Sequence, residues 1–340
     1  MLRQFGLPQA ALSRKRAELG AFTTAAVLAE LDSEAVAKAV ARALAWAAEP
    51  GHSIITLADE TYPRLLLEIP DPPALLYARG RIELLARPAL AIVGSRNATQ
   101  QGEANAEALA KALSNSGFTV VSGLALGIDA AAHRGGLAGA GSTVAVLGTG
   151  IDVVYPSRNT ALAAEIAERG LLICEFPLGT APAAQNFPRR NRLISGLARG
   201  CLVVEAALAS GSLITARAAA EQGREVFAIP GSIHSPLAKG CHALIKSGAK
   251  LVESAEDVLA ELSGFRPSGY ASTTKALAET RDAGLLGHMG HDPVDVDSLC
   301  SRAGMSAEQV SSELLRLELD GRVAALPGGL YQRLEKGQRR

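Results

Sequence analysis

Aromatic residues make up only 4% of the 340-residue chain, and neither sign of charge prevails: 34 Lys and Arg stand against 34 Asp and Glu. A zero balance excludes the broadly basic surface that many polyanion binders carry, so any anion site has to be local. The four cysteines, Cys174, Cys201, Cys241 and Cys300, lie far apart with no CxxC pair. Cys174 and Cys201 sit in apolar runs, where packing explains them better than disulfides or zinc. No stretch is both long and apolar enough to cross a bilayer. The opening MLRQFGLPQA has no long apolar segment, so a secretory signal and a membrane are not expected, and the expected compartment is the cytoplasm. Nucleotide fingerprints are missing as well. GxxxxGK[ST] does not occur, and Gly148-Thr149-Gly150 runs on into Ile151-Asp152-Val153 rather than completing GxGxxG. The second β-like run ends at Ser122, where an NAD site would place an acid for the ribose.

What the chain does have is 48% hydrophobic residues and 34 glycines. Residues 1–55 are Ala/Leu-rich and helical in period, with Ala25, Leu28, Ala29 and then Val36, Val40, Leu44 recurring on one face. This partial helical region is too short to bury a good core alone. A Pro-rich connector from Tyr62-Pro63 to Pro73 reads as extended and non-helical. Short β-branched runs then alternate with helical stretches: LAIVG before a helix near 103–115, FTVVSG before 128–137, TVAVLG before 159–169. LLICE, CLVVE (before 212–222), EVFAIPG and KLVES (before 255–262) continue the series. Such alternation implies βαβ crossovers and a parallel sheet covered on both faces. The predicted fold class is therefore α/β, a Rossmann-like doubly wound, mainly parallel sheet over 56–262. Residues 263–280 read as a linker. The last unit, 281–335, has a helix around 296–303, a second from 306 to 320 opened by a Ser306/Gln309 capping box, and a hairpin tipped by Gly328-Gly329. That is the winged-helix order.

Ligands of open α/β sheets bind beyond the carboxyl ends of the strands. The loops expected there are rich in glycine: Gly94-Ser95-Arg96, Ser122-Gly123 through Gly127-Ile128-Asp129, Gly148-Thr149-Gly150, Ser210-Gly211-Ser212 and Pro230-Gly231-Ser232. Glycine admits close backbone approach, and N–H groups at helix starts face anions, although βα turns also use glycine for sterics alone. Residues 186–192 add Phe187, Arg189, Arg190, Asn191 and Arg192 in what reads as a loop entering a helix. Arginines neutralise phosphates and Phe187 offers a stacking face; a solvated basic helix start is the bland alternative. His133 lies four residues after Asp129 on one helical face, and a structural hydrogen bond is expected there rather than acid–base work. Asp129 is expected to organise the helix start. His288 and His291 have no third ligand, so no metal is expected. Lys239 precedes a short helix and could touch phosphate or simply cap a solvated turn. In the tail, Arg302, Arg316, Arg322 and Arg333 compete with Glu308, Glu313, Glu318 and Asp320. Groove insertion looks poor, and partner docking is the expectation.

The segments AIVGSRNAT (91–99), SGLALGIDAAAH (122–133), NFPRRNRLISGL (186–197), VVEAALASGSLITARAAAEQGREVFAIPG (203–231) and SPLAKGCHALIKSGAKLV (235–252) resemble, in order and at natural spacing, the DNA-processing protein A (DprA/Smf) family. The resemblance spans roughly 55–262, and the winged-helix tail agrees with a module many members carry. It implies a non-enzymatic, cofactor-free Rossmann-like core that binds single-stranded DNA, forms homodimers, and helps load the recombinase RecA onto incoming strands in natural transformation. By position it makes Arg96 the phosphate contact, with Gly94, Ser95, Gly123 and Gly127 letting the backbone follow the strand. Phe187, Arg190, Asn191 and Arg192 would line the neighbouring wall. Some relatives carry a lysine shortly before the Phe-Pro pair, where this chain has Ala183, Ala184 and Gln185, so one phosphate contact is either missing or taken over by Arg158 or Arg189. Leu126 stands where relatives often have arginine. Members usually open with a further helical hairpin, and this chain is expected to start partway through it. The rival from another class is a nucleotide-processing enzyme of the phosphoribohydrolase-like Rossmann group. Its PGGxGTxxE segment has no counterpart with an acid in ASGSLITA (209–216) or IPGSIHS (229–235). A structural scaffold with a vestigial anion pocket is the third option.

Overall fold

The computed structural model describes residues 4, 8–265, 284–290 and 292–334. Its main body is one nine-stranded sheet. The strands are β1 (His52–Thr56), β2 (Leu75–Gly80), β3 (Ala89–Val93), β4 (Thr119–Ser122), β5 (Thr143–Val146), β6 (Leu171–Cys174), β7 (Gly200–Val203), β8 (Glu225–Ala228) and β9 (Lys250–Leu251). They lie in the order β1-β2-β6-β5-β4-β3-β7-β8-β9. All pairings from β6 to β9 are parallel, while β1 and β2 join antiparallel at one edge. The sheet is thus mainly parallel, as the alternating runs imply. From β3 the chain winds outward through β4, β5 and β6, then crosses back to lay β7 on the other flank of β3. That reversal is the switch point at which a crevice opens.

The central strands, β3 to β7, are apolar on both faces because both faces are covered. In β3, Leu90 and Ile92 enter one core together with Phe118, Val120 and Ile128. Their neighbours Ala89, Ala91 and Val93 enter the opposite core with Val121, Leu193, Ile194 and Ala216. The two-residue period of a strand sorts the side chains. Helices α1 (Glu34–Ala47), α2 (Gln100–Asn115), α3 (Ile128–Leu137), α4 (Thr160–Arg169), α5 (Asn186–Gly196), α6 (Ser212–Glu221), α7 (Lys239–Lys246) and α8 (Ala255–Glu261) run alongside or between the strands. Local chemistry fixes their ends. Thr99 caps α2 by accepting from Gly102 N, and Ser254 with Asp257 forms a capping box at α8.

Two expectations change. The connector 62–73 is not wholly extended, because Arg64–Leu67 makes a helical turn after Pro63, whose φ is −61°. Leu66 is fully buried there, and a Cβ on Gly196 would come within 2.8 Å of it; burial against α5 outweighs the extended bias around the prolines. In α1 the apolar repeat is not the docking face, since Val40 and Leu44 are 52% and 62% exposed. The helix docks instead through Ala43 and Trp46, which pack on the third core cluster. Trp46 stacks on His52 at 4.3 Å and meets the edge of Tyr77 at 5.6 Å. One large ring removes more apolar surface than the aliphatic stripe could.

Of the expected linker, Ser263–Phe265 forms a 3-10 turn and residues 266–280 lie outside the described residues. The C-terminal unit opens with a short helix Leu285–Met289 that the sequence did not announce. It continues with β10 (Val294–Asp295), α9 (Val296–Ala303), α10 (Ala307–Leu319), β11 (Val323–Leu326) and β12 (Leu330–Arg333). The three strands form one sheet in the order β10-β12-β11, which completes a winged helix around Leu299, Val310, Leu314 and Leu317. The Ser306/Gln309 capping box is present. Among the described residues no helix is long and apolar enough to cross a membrane.

Leu66→Ala is expected to cost about 2–5 kcal/mol, the range for emptying a fully buried leucine site. Urea denaturation followed by circular dichroism checks this; a change below about 0.5 kcal/mol would return the connector to the surface.

Candidate functional site

At the switch point a crevice of about 790 Å³ opens over the carboxyl ends of β3 and β7. One wall is the loop after β3, with Gly94, Ser95, Arg96 and Asn97. The opposite wall is the 207–212 loop leading into α6, and α5 closes a further side. In α5 the lining residues are Phe187, Pro188, Arg190, Asn191 and Ile194; apart from Pro188 they are spaced i, i+3, i+4, i+7, one stripe of a helix. The run 186–192 is therefore not a loop entering a helix; it is the first two turns of the helix itself. That one difference splits the arginines. Arg189 and Arg192 lie outside the crevice lining, and both reach Glu175, a side chain only 5% exposed beyond β6. Arg192 Nη2 is 2.5 Å from Glu175 Oε2, and Arg189 also lies over the Phe176 ring at 5.5 Å. Arg192 therefore does not line the neighbouring wall of the crevice as expected, and neither does Arg189: Glu175 and the helical period turn them to another side of α5.

Arg190 does face the crevice, but from beneath, at 4% exposure. Its guanidinium donates to the carbonyl oxygens of Gly123 (2.6 Å) and Val146, at the ends of β4 and β5. Asp129 accepts from Gly123 N (3.1 Å) and Ala125 N (3.4 Å), so it organises the loop before α3. Burial pushes the Asp129 carboxyl up against the opposing pull of Arg190 and the two amides. Burial likewise brings Arg190 down to about 10, with Asp129 resisting, so the arginine is still a cation at neutral pH. Gly123 is required here because a Cβ would fall 2.5 Å from the guanidinium. At Gly127 (φ +70°) a Cβ would meet Ser95 O at 2.4 Å. These two glycines serve close packing, and neither they nor Ser122 line the crevice. Ser122 is buried and donates to Ile92 O at 2.6 Å, tying β4 to β3 rather than contacting a ligand.

The exposed cation is Arg96, held 5.6 Å over the ring of half-buried Phe187. Its loop is pinned by Glu205, at the end of β7. The Glu205 carbonyl accepts from Ser95 N (2.7 Å), and its carboxylate accepts from Thr99 N (2.9 Å) and Thr99 Oγ1 (2.6 Å). On the far wall Ser210 and Ser212 share a hydroxyl bond of 2.7 Å, and Asn191 Nδ2 reaches Gly211 O at 3.4 Å. Gly211 and Ser212 thus line the crevice as expected of the α6 start. Lys239 does not: its Nζ donates to Ile233 O, and of that segment Leu237 supplies the lining. Arg158 is exposed in the short turn Ser157–Asn159 and is also absent from the lining. Sequence reasoning missed Tyr155, which lines the crevice 5.6 Å from the Phe187 ring, and Glu205. The scarcity of aromatics could have flagged the first, and an acid ending a strand at the switch point the second.

His133 belongs to the packing. It is fully buried, with Nε2 accepting from Leu124 N (3.2 Å) and Nδ1 meeting Thr143 Oγ1 (2.7 Å). Thr143 in turn donates to Val120 O, which fixes the Nδ1-protonated neutral ring. Among the described residues no cluster of three or more His, Cys, Asp or Glu could hold a metal ion. His288 is exposed, and His291 lies outside the described residues. Cys174, Cys201 and Cys241 are buried free thiols.

Fold and crevice together define a doubly wound Rossmann-like protein with a switch-point cleft and a winged-helix module. The family model for DNA recombination-mediator protein A matches residues 53–263, and that for the DprA winged helix domain matches 271–329. The chain belongs to this DprA/Smf family of DNA-processing recombination mediators. It is 43% identical to Protein Smf of Escherichia coli K12 over 307 residues, covering 88% of this chain and 82% of that protein. It is 50% identical to DNA processing protein DprA of Streptococcus pneumoniae over 212 residues, 62% of this chain and 74% of the relative. The X-ray structure of the S. pneumoniae protein superposes with a TM-score of 0.62 at 46% identity, over 65% of this chain and 77% of that one. The Helicobacter pylori DNA processing protein A, whose structure addresses its single-stranded DNA binding mode, gives 0.58 at 29% identity over 63% and 97%.

The His133 ring is pushed down to about 3 by burial and then by the Arg190 and Arg134 charges. The unfolded chain, titrating near 6.5, takes up this proton first. Stability is therefore full above about pH 6.5 and declines by up to about 1.4 kcal/mol per pH unit as pH falls towards 3. Urea midpoints between pH 6.5 and 4.5 check this, and His133→Gln is expected to have the shallower acid slope; parallel slopes would refute the assignment.

Proposed function

We propose that the crevice binds single-stranded DNA and that the protein acts in recombination through that binding, with no covalent chemistry of its own. The observation that carries the reading is Arg96, an exposed guanidinium beside aromatic rings, above a floor that contains the buried cation Arg190. Asp129 is the one carboxylate among the described lining residues, and it is buried. A polyanion therefore meets a locally positive cleft on a chain of zero net charge. The single-stranded DNA binding of the H. pylori relative supports the same reading. Family membership supports the finer one: a cytoplasmic homodimer that protects incoming strands and helps load RecA during natural transformation. The exposed acids Glu308 and Glu318 of α10, with Asp320 just past its end, support a protein-docking role for the winged helix over groove reading.

Fluorescence anisotropy with single- and double-stranded oligonucleotides at several salt concentrations tests the proposal. Arg96→Ala is expected to weaken single-strand binding at least tenfold and to lower the salt slope by about 0.7 per lost phosphate contact. Unchanged affinity and slope would sink it. Incubation with nucleoside monophosphates is expected to release no free base; release would favour the phosphoribohydrolase-like alternative.

A further inference from the structure

The second helix of a winged helix is the element that ordinarily enters a DNA groove. In this chain that helix, α10, carries Glu308, Ser312, Leu315 and Leu319 along one exposed stripe, spaced i, i+4, i+7, i+11. Glu318 and Asp320 are exposed beside its end. Leu315 is 59% exposed and Leu319 82%, while Arg316, the cation of this helix, is held by Glu313 at 2.5 Å. Negative charge around an apolar edge is what a DNA strand itself presents, so this face is matched to a DNA-binding surface rather than to DNA. The crevice offers the converse. Arg96 is its exposed cation, Asp129 is buried, and Tyr155 and Ile214 leave 45% and 44% of their surface open on its walls. A second cavity of about 320 Å³ has Glu49 and Glu168 in its lining and would repel the same helix end. Residues 266–283 join the two units. At full extension such a segment spans about 60 Å, against a radius of gyration of about 17 Å for a domain the size of the Rossmann-like unit.

Resting on the reading of the crevice as a single-strand site, we propose that the exposed end of α10 docks in the crevice of its own chain and competes with DNA there. Glu318 and Asp320 meet Arg96, and Leu319, with Leu315 behind it, covers the open faces of Tyr155 and Ile214. The winged helix is thus a tethered stand-in for the strand, and an arriving strand displaces it. The contact needs little intrinsic affinity, because a tether holds its ends at an effective concentration in the millimolar range. Its cost to DNA binding is fixed by the open fraction of the crevice, which divides the intrinsic dissociation constant to give the apparent one. Ion pairs hold the contact in part, so salt weakens it as it weakens DNA binding.

The test uses the full-length protein and oligo-dT. Leu319→Ser, alone and combined with Leu315→Ser, changes no charge, so tighter binding in these variants reports loss of the covering contact and not relief of repulsion. Both are expected to bind oligo-dT about threefold to tenfold tighter than wild type at low salt, as for a crevice covered roughly two-thirds to nine-tenths of the time. The gap should close as salt rises. Hydrogen exchange read by mass spectrometry follows the contact itself: peptides over 312–322 should lose protection when oligo-dT is added to wild type. Arg96→Glu should show that loss without DNA. Thermal denaturation checks that each variant is folded; if the leucine variants are not, Arg96→Glu decides the matter. Wild-type affinity in both leucine variants, or equal protection of 312–322 in Arg96→Glu and wild type without DNA, overturns the docking and leaves the single-strand site standing. Protection that rises with protein concentration places the contact between copies and overturns the same-chain form. Failure of wild type and leucine variants alike to bind oligo-dT overturns the parent reading, whereas the exchange comparison made without DNA still reads the contact.

Discussion

The crevice depends on a guanidinium sealed beneath it. Parallel strands end in carbonyl groups that need donors where the ladder stops. Arg190 donates to two of these carbonyls, on Gly123 and Val146, and so sets where β4 and β5 stop and where the following loops turn. Its charge is balanced by Asp129, which holds the amides of the same loop. Each group of this buried pair would be costly without the other. The glycine at 123 follows from the arginine, since no side chain fits between them. The crevice floor thus holds a charge-balanced buried pair, and the positive charge a ligand meets is that of Arg96.

Above that floor the roles diverge by exposure. Arg96 is the reachable cation, and its loop is anchored to β7 by the backbone and carboxylate of Glu205. Arg189 and Arg192, three residues apart on another side of α5, are engaged by Glu175 and contribute to packing rather than to the cleft. The chain can thus have no net charge and still hold a concentrated positive site, because its acids are paired or buried at this edge and the exposed guanidinium is not. The winged helix has the opposite character. Exposed Leu315 and Leu319 stand on α10, and Arg316 is taken up by Glu313 at 2.5 Å.

Much of this was legible in order of residues. The alternation of apolar runs with helical stretches, and the absence of polar alternation within the runs, fixed a doubly wound sheet, and the helices 128–137 and 306–320 emerged within a residue or so of their ends. Gly94-Ser95-Arg96 after the first parallel strand was enough to place a cation at the sheet's carboxyl edge. The β1–β2 edge pair was harder to see, because the segment that joins its strands is proline-rich. The turn at 64–67 was hidden for a related reason: Leu66 gains nothing locally and becomes helical only by burial against α5.

The sequence by itself therefore determined the class of fold, the edge at which a ligand would meet it, and the residue types available there. Periodicity and turn chemistry act over a few neighbours, and those can be read one after another. Only the tertiary structure decided which arginine is reachable, which is buried and which is neutralised, because Glu175, Gly123 and Val146 come from strands far away in the chain. It likewise decided that Tyr155 stands open while Phe187 is half-covered. Exposure and pairing are properties of a packed three-dimensional neighbourhood, and no local pattern encodes them.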